Sequence, residues 1–161
     1  MAIFEFVKGA GQMMAAGMEA ASEAVRADQE KKVMAAVEAK IKASKIVHRD
    51  LALKFTDAGS LKVYVVVESL DDKDDVILMA GNTTGVHKVE DAIKVRPPGA
   101  TKDVTGPAPR FYTVKAGDTL SSIAKAQLGN ESRHPEIFKA NRHILSNPDQ
   151  IDVGQTLRLP K

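Results

Sequence analysis

A proline-rich stretch divides this chain of 161 residues and limits the folds open to it. The stretch RPPGATKDVTGPAP, Arg96 to Pro109, holds four of the seven prolines and two of the eleven glycines. This composition is typical of an extended, exposed linker, because proline lacks the N–H that a helix interior or a central strand needs. The sequence therefore predicts an N-terminal segment at 1–28, a domain at 29–96, a linker at 97–110 and a second domain at 111–161.

Apolar periodicity before the linker alternates between helical and strand spacing. Val33, Val37 and Ile41 recur at the spacing of one helical face. Apolar alternation then predicts a hairpin with strands at 51–55 and 61–67. A second helix is predicted within SLDDKDDVILMAG, residues 69–81, whose aspartates suit helix capping and the positive end of a helix dipole. A last strand follows from Val86 to Val95, so the predicted class is α+β with the order αββαβ.

The loop AGNTTGV, residues 80–86, and the following VEDAIKV join the second helix to the last strand. This order and these motifs resemble the BON domain of bacteria over about Gln29 to Arg96. The resemblance implies the αββαβ fold. Taken without it, Gly81 is interpreted as a helix cap and Gly85 as a turn.

Two motifs mark the segment after the linker. YTVKAGDTLSSIA, residues 112–124, and DVGQTLRLP, residues 152–160, enclose a pattern that predicts the order βααβ. Together they resemble a LysM domain over its whole length, although Val153 stands where many members have proline. The resemblance implies a shallow groove for N-acetylglucosamine polymers such as peptidoglycan.

The implied groove lies between two loops. Its candidate carbohydrate-binding residues are Gly117, Asp118, Thr119, Asn147 and Ile151. Neither loop carries an aromatic residue on which a sugar ring could stack. The favoured interpretation is therefore that these residues serve turns and a helix cap and that the groove holds no glycan.

The first residues carry a third motif. FEFVKGAG, residues 4–11, precedes the other two, and this order resembles a group of bacterial cytoplasmic potassium-binding proteins with a BON domain followed by a LysM domain. Membership would imply an ion sensor or buffer in which potassium alters the arrangement of the two domains. The implied metal ligands are the backbone carbonyls of Val7, Ala10, Gln12, Gly81, Thr83 and Val86.

Neutral carbonyls suit this ion. Potassium is large and singly charged, so carbonyl dipoles can replace its water shell without the cost of burying several carboxylates. Rubidium or caesium should substitute, because they are similarly large. Glycines allow such a loop to turn its carbonyls inward. We expect both domain cores to be built from residues after the first twelve.

Composition argues against several other functions. The chain has no cysteine, and 23 basic residues against 21 acidic ones give a net charge of only +2, so nucleic acid is not an expected partner. Glu5 and Lys8 interrupt the only candidate for a signal sequence, and no apolar run is long enough to span a membrane. We therefore expect a cytoplasmic monomer.

No pattern of catalytic residues stands out. The four histidines lack metal-ligand spacing, and the aspartates at 71, 72, 74 and 75 lack the pattern of a calcium loop. We therefore predict that the protein is not an enzyme. Two alternatives to potassium binding stay open: an envelope-associated protein that binds peptidoglycan, and an adaptor whose LysM surface docks another protein.

Overall fold

The computed structural model describes residues 2–6 and 23–160, in which helices and strands are mixed, so the predicted α+β class is confirmed. The first part consists of β1 (Ile3–Glu5), α1 (Glu23–Ala43), β2 (His48–Phe55), β3 (Leu61–Val67), α2 (Leu70–Gly81) and β4 (Lys88–Val95). The second part consists of β5 (Arg110–Thr113), α3 (Leu120–Leu128), a 3-10 turn (Glu131–Arg133), α4 (His134–Ala140) and β6 (Thr156–Leu159). In the described ranges, no helix is both long and apolar enough to cross a bilayer.

Four strands form one sheet in the order β1-β4-β3-β2. The predicted hairpin pairs β2 with β3, and α2 then carries the chain across so that β4 runs parallel to β3. The edge strand β1 pairs antiparallel with β4. The sequence missed β1, because three residues are too few to show a strand periodicity.

The core of the first part lies between this sheet and the helices α1 and α2. Val33, Val37 and Ile41 are buried, as their helical spacing predicted. Phe6, which follows β1, belongs to the same buried cluster with 7% of its surface exposed. The expectation that the cores use only residues after the first twelve is therefore wrong.

The second part has its own smaller core between the β5–β6 pair and two helices. Thr119 caps α3 by accepting a hydrogen bond from the Ser122 backbone N–H, and the Ser122 hydroxyl accepts one in return. The helix cap that the sequence predicted in this loop is therefore Thr119. Gly154, with φ of 89°, turns the chain toward β6.

The linker folds back on the first part. Residues 101–108 are exposed, as expected, but the Val104 N–H donates to the Val95 carbonyl over 2.7 Å. The Arg96 guanidinium pairs with Asp103, and a Cβ built on Gly106 would lie 2.5 Å from Leu70. The linker is therefore less extended than its composition suggested, because the free carbonyl at the end of β4 offers it a hydrogen-bond partner.

The two parts of the chain touch each other. The Phe111 ring on β5 makes an edge contact with Phe4, with ring centroids 5.4 Å apart. Ile144 packs against both buried clusters. This contact places the second part beside the end of α2, where the candidate loop begins.

Candidate functional site

The loop GNTTGV, residues 81–86, is held by its own backbone. Gly81 is the last residue of α2, and the N–H groups of Asn82 and Thr83 donate to the carbonyls of Leu78 and Ala80. The Val86 N–H closes the loop by donating to the Thr83 carbonyl over 3.0 Å. Gly85 has φ of 94°, a conformation that a side chain would strain.

Gly81 is the point where the N-terminal strand meets the loop. A Cβ at this position would overlap the Phe6 ring, so the ring lies directly on the glycine. The Phe6 N–H also donates to the His87 carbonyl over 2.9 Å, just beyond the loop. Gly81 is therefore required by a close approach, and the helix-cap position belongs to Asn82.

The six predicted metal ligands divide into two groups. Val7, Ala10 and Gln12 lie outside the described residues. Gly81, Thr83 and Val86 share one buried loop. The Thr83 carbonyl accepts one hydrogen bond from Val86, and a carbonyl oxygen has a second lone pair. Among the described residues, no three histidine or acidic side chains come together in a group that could hold a metal ion.

A lysine from α1 touches the outside of this loop. The Lys40 Nζ donates to the Thr83 hydroxyl over 3.0 Å and to the Asn82 carbonyl over 3.3 Å. Partial burial lowers the pKa of the Lys40 ammonium from its ordinary value. No local pattern in the sequence indicates a role for Lys40, because its partners lie 42 and 43 positions away along the chain.

Asn82 connects the loop to the second part of the chain. Its side-chain amide donates to the Thr156 carbonyl over 2.9 Å and accepts from the Thr156 N–H over 2.8 Å. The amide thereby pairs with both backbone groups of one β6 residue, in the way a residue of a neighbouring antiparallel strand would. This link was also missed, since 74 residues separate the partners.

The aspartates at the start of α2 have more than one role. Ser69 caps the helix by accepting a hydrogen bond from the Asp72 N–H, and the Asp72 carboxylate takes part only by accepting one from the Ser69 hydroxyl. Asp71 and Asp74 instead pair with the Arg158 guanidinium on β6 at 2.9 and 3.5 Å. Capping alone is therefore an incomplete explanation of the cluster.

Asp75 is the most deeply buried acid of this group. Its two carboxylate oxygens lie 3.5 Å from Arg158 Nη2 and 3.3 Å from His143 Nε2. Burial raises the pKa of Asp75 to about 7, although Arg158 opposes the change. Burial also lowers the pKa of His143. Both shifts disfavour the charged forms of the two groups, so burial weakens the ion-pair character of this contact.

A cavity of about 330 Å³ lies between the loop and the second part. Its lining includes Lys40, Met79 and Asn82 from the first part and His143, Ile144 and Gln155 from the second. The loop and Lys40 thus border one region of contact between the two parts, and Asp75 adjoins it through His143.

The predicted carbohydrate-binding residues have structural roles. Gly117 has φ of 85°, Thr119 caps α3, the Asn147 side chain accepts from the Asp149 N–H, and Ile151 packs on the smaller core. Asp118 accepts from the Lys115 N–H and from the Tyr112 hydroxyl, each over 2.8 Å. Neither loop contains an aromatic residue, but the Tyr112 side chain therefore lies beside the first of them.

Comparisons with known proteins agree with this organisation. The LysM domain model matches residues 112–160, which confirms the predicted LysM domain. The potassium binding protein Kbp of Escherichia coli is 40% identical over 93 residues, covering 58% of each chain, so the predicted resemblance is confirmed. An uncharacterized protein of Deinococcus radiodurans is 47% identical over 49 residues, or 30% of this chain and 19% of that one. The endolysin of Bacillus phage PZA is 43% identical over 61 residues, or 38% of this chain and 22% of its own. The matched regions thus span 58% or less of each relative.

Proposed function

We propose that this protein binds potassium through backbone carbonyls and acts in the cytoplasm as an ion sensor or buffer. The observation that carries the proposal is the contact of Phe6 with Gly81 and His87, which brings the chain to the loop just before residue 7. Similarity to a potassium binding protein supports the same ion. The ligands would be the carbonyls of Val7, Ala10 and Gln12 together with those of Gly81, Thr83 and Val86.

The side chains of the loop favour a backbone site. The Asn82 amide is engaged by Thr156, and the Thr83 hydroxyl donates to the Met79 carbonyl while accepting from Lys40. Gly81 and Gly85 have no side chain to offer. The oxygens available for a cation in the loop are therefore mainly carbonyls, which suit a large monovalent ion better than a small divalent one.

Potassium binding would also affect how the two parts of the chain are arranged. The residue between the proposed ligands Gly81 and Thr83 is Asn82, whose amide is paired with β6. An ion that fixes the loop would fix this amide, and the contact with β6 would become more favourable. A BON domain in the first part and a LysM domain in the second would then respond together.

Peptidoglycan binding is the second candidate function. It is favoured by the LysM match and by Tyr112, whose hydroxyl touches Asp118 beside the first candidate loop. An aromatic ring in that place could support one sugar. The residues of both candidate loops are nevertheless committed to turns, a cap and the core, so we rank this function below potassium binding.

Thermal unfolding in different salts tests the potassium proposal. A ligand that binds only the folded state at 100 times its Kd adds about 2.7 kcal/mol, which raises the Tm by several degrees in a protein of this size. Potassium, rubidium and caesium chloride should do this in a saturable way, while sodium chloride at equal ionic strength should do so much less. Equal shifts in sodium and potassium would overturn the proposal.

Replacing Gly81 by alanine tests the site itself. The helical backbone accepts alanine, but the new Cβ would displace the Phe6 ring and separate the N-terminal strand from the loop. We expect Gly81→Ala to lose most of the potassium-dependent shift in Tm. Combining Gly81→Ala with Phe6→Leu, which removes the outer ring atoms, should restore part of the potassium-dependent shift in Tm. A full potassium response in Gly81→Ala would exclude the two-segment site.

A further inference from the structure

Lys40 places a positive charge beside the proposed potassium site. Its ammonium donates to the Asn82 carbonyl and the Thr83 hydroxyl. The Asn82 carbonyl lies between the proposed ligand carbonyls of Gly81 and Thr83 along the chain. An ammonium group is a monovalent cation of nearly the size of potassium. The outer side of the loop therefore already holds a cation that belongs to the protein.

The loop does not depend on Lys40 for its shape. Backbone hydrogen bonds from Asn82, Thr83 and Val86 define the turn, and the Asn82 amide is anchored on Thr156. The Thr83 hydroxyl also donates to the Met79 carbonyl over 2.7 Å, a hydrogen bond in which Lys40 has no part. Loss of the ammonium should thus change the charge near the site much more than its geometry.

We propose that Lys40 is a specificity-determining residue that weakens potassium binding and so sets the concentration range over which the protein responds. This inference rests on the proposed function. Repulsion between the ammonium and the bound ion raises the Kd. The same charge acts more strongly on a divalent ion, because the repulsion doubles with the charge of the ligand. Lys40 thereby favours monovalent over divalent cations.

The expected effect follows from the distance between the charges. Neighbouring Cα atoms are about 3.8 Å apart, so an ion on the Gly81 and Thr83 carbonyls lies within about 8 Å of the ammonium. At that separation, an effective dielectric constant between that of water and that of a protein surface gives a roughly three- to thirtyfold change in Kd. Salt screens the effect, since the Debye length is about 10 Å at 0.1 M ionic strength.

Calorimetric titration of the full chain with potassium chloride tests the proposal. The variants are Lys40→Met and Lys40→Gln, which remove the charge, and Lys40→Arg, which keeps it. Lys42→Met is the matched control, because it removes the same charge from the same helix while Lys42 pairs with Glu38, away from the loop. Each variant is titrated at low ionic strength and again in about 0.3 M tetramethylammonium chloride, where screening is stronger.

We expect both neutral Lys40 variants to bind potassium at least threefold more tightly than the wild type at low ionic strength, with the gain shrinking in high salt. Lys40→Arg and Lys42→Met should stay near the wild type. Equal or weaker binding by both neutral variants, with a normal wild type, would overturn the role of Lys40 alone. A tighter Kd in Lys40→Met without one in Lys40→Gln would also overturn it, because both lack the charge. A wild type that shows no potassium-selective binding would overturn the proposed function and this inference together.

Discussion

Replacing Asp75 by asparagine should stabilise the protein above neutral pH. Asp75 is 5% exposed and lies against Arg158 and His143, at the contact between the two parts of the chain. Asp71, Asp72 and Asp74 add further negative charge around it. Asparagine has nearly the same shape, keeps an oxygen that can face Arg158 and cannot ionise.

The direction of the pH dependence follows from the raised pKa. The folded state holds a proton on Asp75 up to about pH 7, whereas an unfolded aspartic acid loses it near 3.8. Between these values the folded state binds more protons, so the contribution of Asp75 to stability falls as the pH rises. The contribution of Asp75 to stability stops falling just above pH 7, where the carboxyl group is ionised in both states. Below about pH 4 the group is protonated in both states and contributes no pH dependence.

The size of the effect is bounded by the same two values. A raise from 3.8 to about 7 corresponds to about 4 kcal/mol at most. The asparagine variant also gives up attraction between the carboxylate and Arg158, which is worth part of that amount. We therefore expect Asp75→Asn to be about 1–3 kcal/mol more stable than the wild type at pH 8. At pH 4 the two proteins should differ little.

Urea unfolding at fixed potassium concentration, repeated from pH 4 to pH 8.5, measures this difference. Asp71→Asn is the matched control, because Asp71 pairs with the same arginine but its side chain is 84% exposed. Because Asp71 contributes only part of the charge around Asp75, the stability of this variant should stay much closer to the wild type than that of Asp75→Asn at pH 8. If the advantage of Asp75→Asn does not grow between pH 4 and 7, or if the variant is less stable at pH 8, burial does not dominate the energetics of this acid.

Two further predictions concern the loop contact and the glycan groove. Asn82→Ala leaves the backbone N–H and carbonyl of Thr156 without their Asn82 partner, so we expect a loss of about 1–3 kcal/mol and a smaller effect of potassium on the melting of the LysM domain. Unchanged calorimetric transitions in this variant would contradict the coupling. Incubation with insoluble peptidoglycan should leave most of the protein in the supernatant. Saturable pelleting that is lost when Asp118 and Thr119 are changed would favour glycan binding instead.

Local pattern predicted most elements of the fold. The spacing of Val33, Val37 and Ile41 predicted α1, and the alternation from Leu61 to Val67 predicted the central strand, because each element buries one face. Strand β1 escaped prediction because its pairing with β4 is set by a partner more than eighty positions away. The course of the linker was not predicted for the same reason. It depends on contacts with the Val95 carbonyl and the Leu70 side chain, which the composition of the linker does not indicate.

The candidate site shows the same division between local and distant information. The glycines of the GNTTGV loop mark it in the sequence, because a positive φ at Gly85 and the close approach of Phe6 to Gly81 both require glycine. Its electrostatic surroundings come from Lys40 on another helix, which no motif records. Under the proposed function, chains with an identical loop would bind the same ion with different affinities. The residue that faces the loop from the last turn of α1 would then be the first position to compare, since a charge there would act on a bound ion without altering the backbone of the loop.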